Sequence, residues 1–98
     1  MATVFQMIQV SGTAYGALVV YYWAEREATL YSLDSNGSKG QVYYAHVKEY
    51  QGENGQHVCA AIFPMLPPGN YLTYRPGSEY VPKYITVFPG FIAEVKYD

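Results

Sequence analysis

Short segments in which apolar and polar residues alternate recur along almost the whole chain, and turn-forming residues separate them. A period of two places every second side chain on the same face, which is the pattern of a half-buried β-strand. The segments that follow it are 4–10, 17–23, 28–33, 41–50, 57–63, 70–75, 83–88 and 91–97. Short strands at this spacing predict an all-β protein built as a sandwich or a small barrel.

Asn54-Gly55 is the clearest turn signal in the chain. Both residues tolerate the positive φ angles that a type I′ turn requires, and alternating segments flank them. The pair therefore predicts an antiparallel hairpin between segments 41–50 and 57–63.

The alternation also predicts which side chains face the core. Segment 17–23 is apolar almost throughout, so we expect a central strand that is covered on both faces. In segment 91–97 the odd positions carry the inward residues Phe91, Ala93, Val95 and Tyr97. The outward residues of that segment are Ile92, Glu94 and Lys96. We expect the carboxylates of the chain in loops and at outward strand positions, where they favour solubility.

The composition is that of a folded domain with few charges. The 98 residues are 50% hydrophobic and 14% charged, which favours one domain, residues 1–98, with its own core. A net charge of −2 and six dispersed basic residues argue against a nucleic-acid partner or a membrane surface. The start of the chain does not read as a signal peptide, and its longest apolar run is too short to span a membrane.

Cys59 is the single cysteine, so the chain has no intramolecular disulfide. It lies within an apolar segment, where we expect a buried thiol that fills a place in the core. A lone free cysteine suits a reducing compartment, and we therefore expect the protein in the cytoplasm.

The C-terminal third carries a family resemblance. Its elements are Leu66-Pro67-Pro68-Gly69-Asn70-Tyr71, then Ile85-Thr86-Val87, then Pro89-Gly90, and finally Ala93-Glu94-Val95. This order resembles the carboxypeptidase regulatory-like group of transthyretin-like sandwiches, in which such a loop leads into a strand and a Pro-Gly corner precedes the closing strand. The resemblance implies a seven- to eight-stranded Greek-key β-sandwich. It also implies support, spacing or binding, since members of that group are mostly non-catalytic modules.

Tyrosine is unusually abundant, with 12 residues in 98. Its large apolar body and polar tip suit a half-buried surface or a protein interface, although cross-strand pairing on a wet sheet face would also use it. The adjacent pairs Tyr21-Tyr22 and Tyr43-Tyr44 must point to opposite faces of their strands, so one member of each is expected to face outward. The candidate binding residues are Tyr22, Tyr43, Tyr44 and Tyr50.

The main hypothesis is a non-enzymatic interaction or structural module. It would engage a protein partner, or a second copy as a homodimer, through its tyrosine-rich faces, with edge-strand pairing as a second route. The first alternative is a small carbohydrate-binding module, in which Glu49 and Gln41 would be the polar groups beside a tyrosine platform.

The second alternative is a metal-dependent enzyme. Intradiol dioxygenases are similar to this fold and bind iron(III) through two tyrosines and two histidines. The two histidines of this chain, His46 and His57, could approach each other across the Asn54-Gly55 hairpin. Two candidate ligands do not make a site, and the sequence contains no nucleophile elbow or phosphate-binding glycine loop. We therefore assign no catalytic residue, metal ligand or cofactor.

Overall fold

The protein is an all-β sandwich in the computed structural model, which describes residues 3–9, 14–52 and 54–97. The strands are β1 (Thr3–Gln9), β2 (Gly16–Tyr22), β3 (Glu27–Leu33), β4 (Lys39–His46), β5 (Lys48–Gln51), β6 (His57–Leu66), β7 (Gly69–Thr73), β8 (Lys83–Val87) and β9 (Phe91–Lys96). Sheet A has the order β1-β9-β2-β6-β5, and sheet B has the order β4-β3-β7-β8. The predicted all-β sandwich is confirmed. Val10, at the end of the first predicted segment, lies outside the described residues.

The chain changes sheet after every second strand. β1 and β2 lie in sheet A, β3 and β4 in sheet B, β5 and β6 in sheet A, β7 and β8 in sheet B, and β9 returns to sheet A. Neighbouring strands are antiparallel except β2 and β9, which lie side by side in parallel. No helix in the part of the chain that the structure describes could cross a membrane.

The predicted segment 41–50 is two strands rather than one. The chain leaves sheet B after His46 and enters sheet A at Lys48. Val47 between them is buried, and its backbone N–H donates to the carbonyl oxygen of Arg26 at 2.7 Å. The alternation of side chains continues through this corner, because Val47 still points into the core. The alternation of apolar and polar residues in segment 41–50 therefore does not indicate that the chain passes from one sheet to the other at Val47.

The hairpin at Asn54-Gly55 is confirmed, but it joins β5 to β6, and its turn runs from Gly52 to Gly55, so the predicted type I′ turn with Asn54 and Gly55 at its centre is wrong. Gly55 has a φ of 75°, and its N–H donates to the carbonyl oxygen of Gly52 at 3.1 Å. The register runs from Gln51 opposite His57 to Lys48 opposite Ala60. The hairpin is thus shorter than the predicted one, since only four residues of its first strand belong to sheet A.

The core lies between the two sheets and is built from alternate residues of both. The largest fully buried side chains are Leu18, Leu30, Leu66, Val20, Val47, Val87, Val95 and Thr73. β2 is central, between β9 and β6, as its apolar sequence predicted. Its outward residues Val19 and Tyr21 are only half-buried, so the prediction that both faces are covered is wrong for the outer face.

Glu94 is the exception among the outward residues of β9. The inward residues Ala93, Val95 and Tyr97 are buried as predicted, but Glu94 is only 7% exposed. It lies on the interior strand β9, which has neighbouring strands on both sides, and the hydroxyl of Tyr21 donates to its Oε2 atom. The prediction of an exposed carboxylate is wrong here, since the alternation shows the direction of a side chain and not how closely its neighbours cover it.

Burial makes three tyrosines difficult to ionise. It is the main cause that raises the pKa of Tyr21 and of Tyr71 to about 12, and it raises the pKa of Tyr97 further. The hydroxyl of Tyr71 donates to the carbonyl oxygen of Pro67 at 2.5 Å. That of Tyr97 lies 3.0 Å from the carbonyl oxygen of Val81 and 3.3 Å from that of Thr73. All three side chains must lose a proton in the folded state at a higher pH than in the unfolded state.

Alkaline pH is therefore expected to unfold the protein. A phenol ionises near pH 10 in the unfolded chain. The raised pKa values of the folded state therefore add their full contribution to the free energy of unfolding below about pH 10, and this contribution is lost as the pH rises from about 10 to 12. Tyrosinate absorbance and far-ultraviolet circular dichroism should show late ionisation together with unfolding. Tyr80→Phe is the control, because Tyr80 is 78% exposed and should not change the midpoint. Ionisation of all twelve tyrosines near pH 10 in a folded protein would contradict the prediction.

Candidate binding surface

The four tyrosines chosen from the sequence do not come together. Tyr43 points inward and packs against Tyr71, with 6.2 Å between ring centroids. Tyr22 is half-buried beside the core, and its hydroxyl accepts a hydrogen bond from Nε of Arg75 at 3.3 Å. Tyr50 lies on edge strand β5 of sheet A, and Tyr44 lies on β4 of sheet B. The change of sheet at residue 47 separates these last two.

One row of side chains crosses the outer face of sheet B. Tyr31 on β3 is opposite Val42 on β4 and Leu72 on β7, and Leu72 is opposite Tyr84 on β8. Tyr84 is 67% exposed. Leu72 is buried although it lies outside the core cluster, because Tyr31 and Tyr84 flank it on the same face. An apolar stripe thus runs across all four strands.

Two more tyrosines extend this stripe. Tyr44, which is 62% exposed, lies two residues along β4 from Val42. The ring of Tyr74 meets the ring of Tyr31 edge to face, with 6.2 Å between centroids. We call this surface the tyrosine face, and it consists of Tyr31, Val42, Tyr44, Leu72, Tyr74 and Tyr84.

Lys39 is the cation beside the tyrosine face. Its Nζ atom lies 4.4 Å from the ring centroid of Tyr31 and 5.1 Å from that of Tyr74, which is cation–π geometry. Hydrogen bonding with the side chain of Tyr74 raises the pKa of Lys39 above its ordinary value. Glu27 lies at the other end of the β3–β4 pair, opposite His46. Lys39 therefore places a positive charge over the middle of the face, whereas Glu27 places an acidic group at one end of β3.

A depression of about 330 Å³ adjoins the tyrosine face. The turn after β3 forms one wall and the edge strand β8 forms the other. The lining residues are Leu33, Asp34, Ser35, Gly37, Asn70, Tyr84, Ile85 and Thr86. Thr86 Oγ1 donates to Asn70 Oδ1 at 2.8 Å. Oδ1 of Asp34 accepts hydrogen bonds from the backbone N–H groups of Asn36, at 2.9 Å, and Ser38, at 2.8 Å.

The two histidines do not form a metal site. His46 ends β4 in sheet B, where it is opposite Glu27, and His57 begins β6 in sheet A, where it is opposite Gln51. The prediction that they meet across the hairpin is wrong, because the hairpin pairs His57 with β5. Nδ1 of His57 lies 3.4 Å from Oε1 of Glu49, and both side chains are exposed. Among the described residues there is no group of three or more His, Cys, Asp or Glu side chains that could hold a metal ion.

The other polar residues singled out from the sequence also lie apart. Glu49 is in sheet A, whereas Gln41 is in sheet B, where its backbone N–H donates to Ser32 Oγ at 2.8 Å. They do not share a platform with Tyr44. Cys59 is a free thiol that packs against the core, but it is partly buried rather than fully buried as predicted.

Comparisons with known proteins add no further residues to this surface. No family model matches the chain, and no curated protein or solved structure matches it with significance. The tyrosine face and the depression beside it are therefore interpreted from their geometry alone.

Proposed function

We propose that this protein is a non-enzymatic binding module of the transthyretin-like, Greek-key type, and that its tyrosine face binds the same face of a second copy. The exposed tyrosine face of sheet B is the observation that carries this proposal. Tyr44 and Tyr84 expose about two thirds of their side chains on a sheet that the described residues do not cover. Exposed tyrosines of this kind are enriched at the centres of protein interfaces.

The order of the strands supports the proposed type of sandwich. Connections that alternate between two sheets are typical of Greek-key sandwiches, and this chain crosses between its sheets four times. The Pro-Pro-Gly turn leads into β7, and the corner at Pro89-Gly90 leads into the closing strand β9. Tyr71 is buried and closes the Pro67 loop with its hydroxyl. These elements follow the order that the resemblance implies.

Lys39 limits where a twofold axis can lie. In a symmetric dimer each side chain meets a different one unless it lies on the axis. Nζ of Lys39 lies over the rings of Tyr31 and Tyr74, so an axis through these rings would bring two ammonium groups together. The proposed dimer therefore has its axis away from these two rings.

The size of the face indicates a weak dimer. With four strands about 4.8 Å apart and about three positions of 3.4 Å along each strand, the face covers roughly 200 Å² in plan. A standard interface buries about 800 Å² on each partner. We therefore expect an association that depends on concentration in the micromolar range or above.

Tyr44→Glu is expected to weaken this dimer at least tenfold, because a carboxylate would lose water within an apolar contact. Sedimentation velocity over a range of concentrations would measure the dissociation constant. The mass of the natural chain should rise from 11.0 kDa towards twice that value. Tyr80→Glu is the matched control, since it makes the same change on an exposed tyrosine outside the face. A natural chain that stays monomeric at every concentration, or equal effects of both variants, would overturn the proposal.

A further inference from the structure

We propose that the depression between the 34–37 turn and β8 binds a neutral sugar ring. This site goes beyond the proposed dimer, because it has its own polar groups and a different class of ligand. Its volume of about 330 Å³ lies at the small end of the range for ligand pockets, which suits a single ring.

The exposed ring of Tyr84 supplies the apolar wall. Tyr84 projects from the edge strand β8 and is 67% exposed, so one side of its ring is open to a ligand. The C–H face of a pyranose is apolar and stacks on aromatic rings, whereas the rim of the same sugar carries hydroxyl groups. A site for such a ligand therefore needs an aromatic wall beside hydrogen-bonding groups.

Asn70 and Thr86 supply a fixed polar floor. They lie opposite each other on β7 and β8, and Leu33 on β3 continues the same row. Because Thr86 donates its hydroxyl proton to Asn70 Oδ1, the amide is oriented by a neighbour and its two N–H protons are left as donors. A sugar hydroxyl oxygen can accept from this amide.

Asp34 supplies the acceptor on the opposite wall. Its Oδ1 atom is engaged by two backbone N–H groups, which fixes the carboxylate, while Oδ2 makes no hydrogen bond within the described residues. The turn is closed by two further backbone bonds, from Asp34 N to Ser38 O and from Gly37 N to Asp34 O, both at 3.0 Å. The carboxylate is therefore held in place before any ligand arrives, which lowers the entropy cost of binding.

The charge of the site selects a neutral ligand. None of the residues that line the depression is a lysine or an arginine, and Asp34 gives it a negative charge. Phosphates, nucleotides and acidic sugars would be repelled. A neutral ring with adjacent hydroxyls fits both sides, because one hydroxyl can donate to Asp34 Oδ2 while the next accepts from Asn70.

A titration followed by nitrogen–proton correlation spectra tests the proposal. The probes are the methyl glycosides of glucose, galactose, mannose, xylose and N-acetylglucosamine, with glycerol as a control for hydroxyl groups without a ring. At least one glycoside should cause saturable shifts at the Asn70 side-chain amide and at the backbone amides of Ser35 and Thr86. Glycerol should not cause them.

Variants separate stacking from hydrogen bonding. Tyr84→Ala and Asn70→Ala should each weaken binding of the glycoside at least tenfold, whereas Tyr84→Phe keeps the ring and should change binding less than threefold. Because Tyr84 also belongs to the tyrosine face, the same titration is made on Tyr44→Glu, in which no dimer would cover its ring. This variant should bind the sugar at least as tightly as the natural chain, so that the two proposals fail separately. Absence of saturable shifts with all five glycosides overturns the sugar site. Shifts that survive both Tyr84→Ala and Asn70→Ala in folded protein overturn it as well.

Discussion

Gly16→Ala is expected to destabilise the protein by about 3 kcal/mol or more, or to prevent folding. A Cβ atom on Gly16 would lie 2.4 Å from Cγ1 of Val87 and 2.5 Å from the backbone oxygen of Phe88. The valine side chain could rotate away, but the carbonyl belongs to the backbone where β8 turns into the Pro89-Gly90 corner. Sheet B and sheet A would have to separate locally at this point. Urea denaturation followed by circular dichroism would measure the loss in the free energy of unfolding.

Gly55→Ala separates this steric effect from the conformational freedom of glycine. A Cβ atom on Gly55 would have nothing within 4 Å, but the φ of this residue is positive. We therefore expect a cost of about 1–2 kcal/mol, which is the ordinary penalty for a left-handed residue with a side chain. A Gly16→Ala protein that is as stable as Gly55→Ala would show that β2 and the corner can move apart without cost.

Leu30→Ala is expected to cost about 2–5 kcal/mol, since it removes a fully buried side chain and leaves a cavity. Leu30 lies in the middle of β3, opposite Tyr43 on one side and Thr73 on the other. Both neighbours are held by the sheet and cannot collapse into the space. The loss is a large part of the total stability of about 5–15 kcal/mol that is usual for a protein. Thermal and urea denaturation would both report it.

Ile62→Ala is the matched control, because it removes the same number of carbon atoms from a strand. Ile62 lies on β6 and is 46% exposed, so the substitution should cost less than about 1.5 kcal/mol. Equal losses for the two variants would mean that the interior between the sheets is not packed as tightly as the burial of Leu30 indicates.

Much of the fold could be predicted because β-strands leave a local pattern. Alternation of side chains located the strands within a few residues, and Asn54-Gly55 located a hairpin, since both depend on neighbouring residues. The corner at Val47 was missed, as its side chain keeps the same alternation on both sides of the change in sheet. Glu94 was placed on the outward face but not recognised as buried, because its burial depends on the neighbouring strands of sheet A.

The candidate site was predicted much less well than the strands. Tyr44 was chosen from the sequence and lies on the tyrosine face, where its role in binding stays a prediction. Tyr31, Tyr74 and Tyr84 were not chosen, although each follows the alternation of its own strand. Their closeness depends on which strands are neighbours and in which register, and neither can be read from local alternation.

The chain alone was sufficient for the class of fold, since the period of two and the turn residues act over a few positions. The arrangement of the surface depended on contacts between distant parts of the chain. Pairing of β3 with β4 and β7 collects the tyrosines on one face, and pairing of β7 with β8 brings Asn70 to Thr86 and Tyr84. These pairings follow from how two sheets bury their apolar sides together, which is a property of the whole core rather than of any one segment.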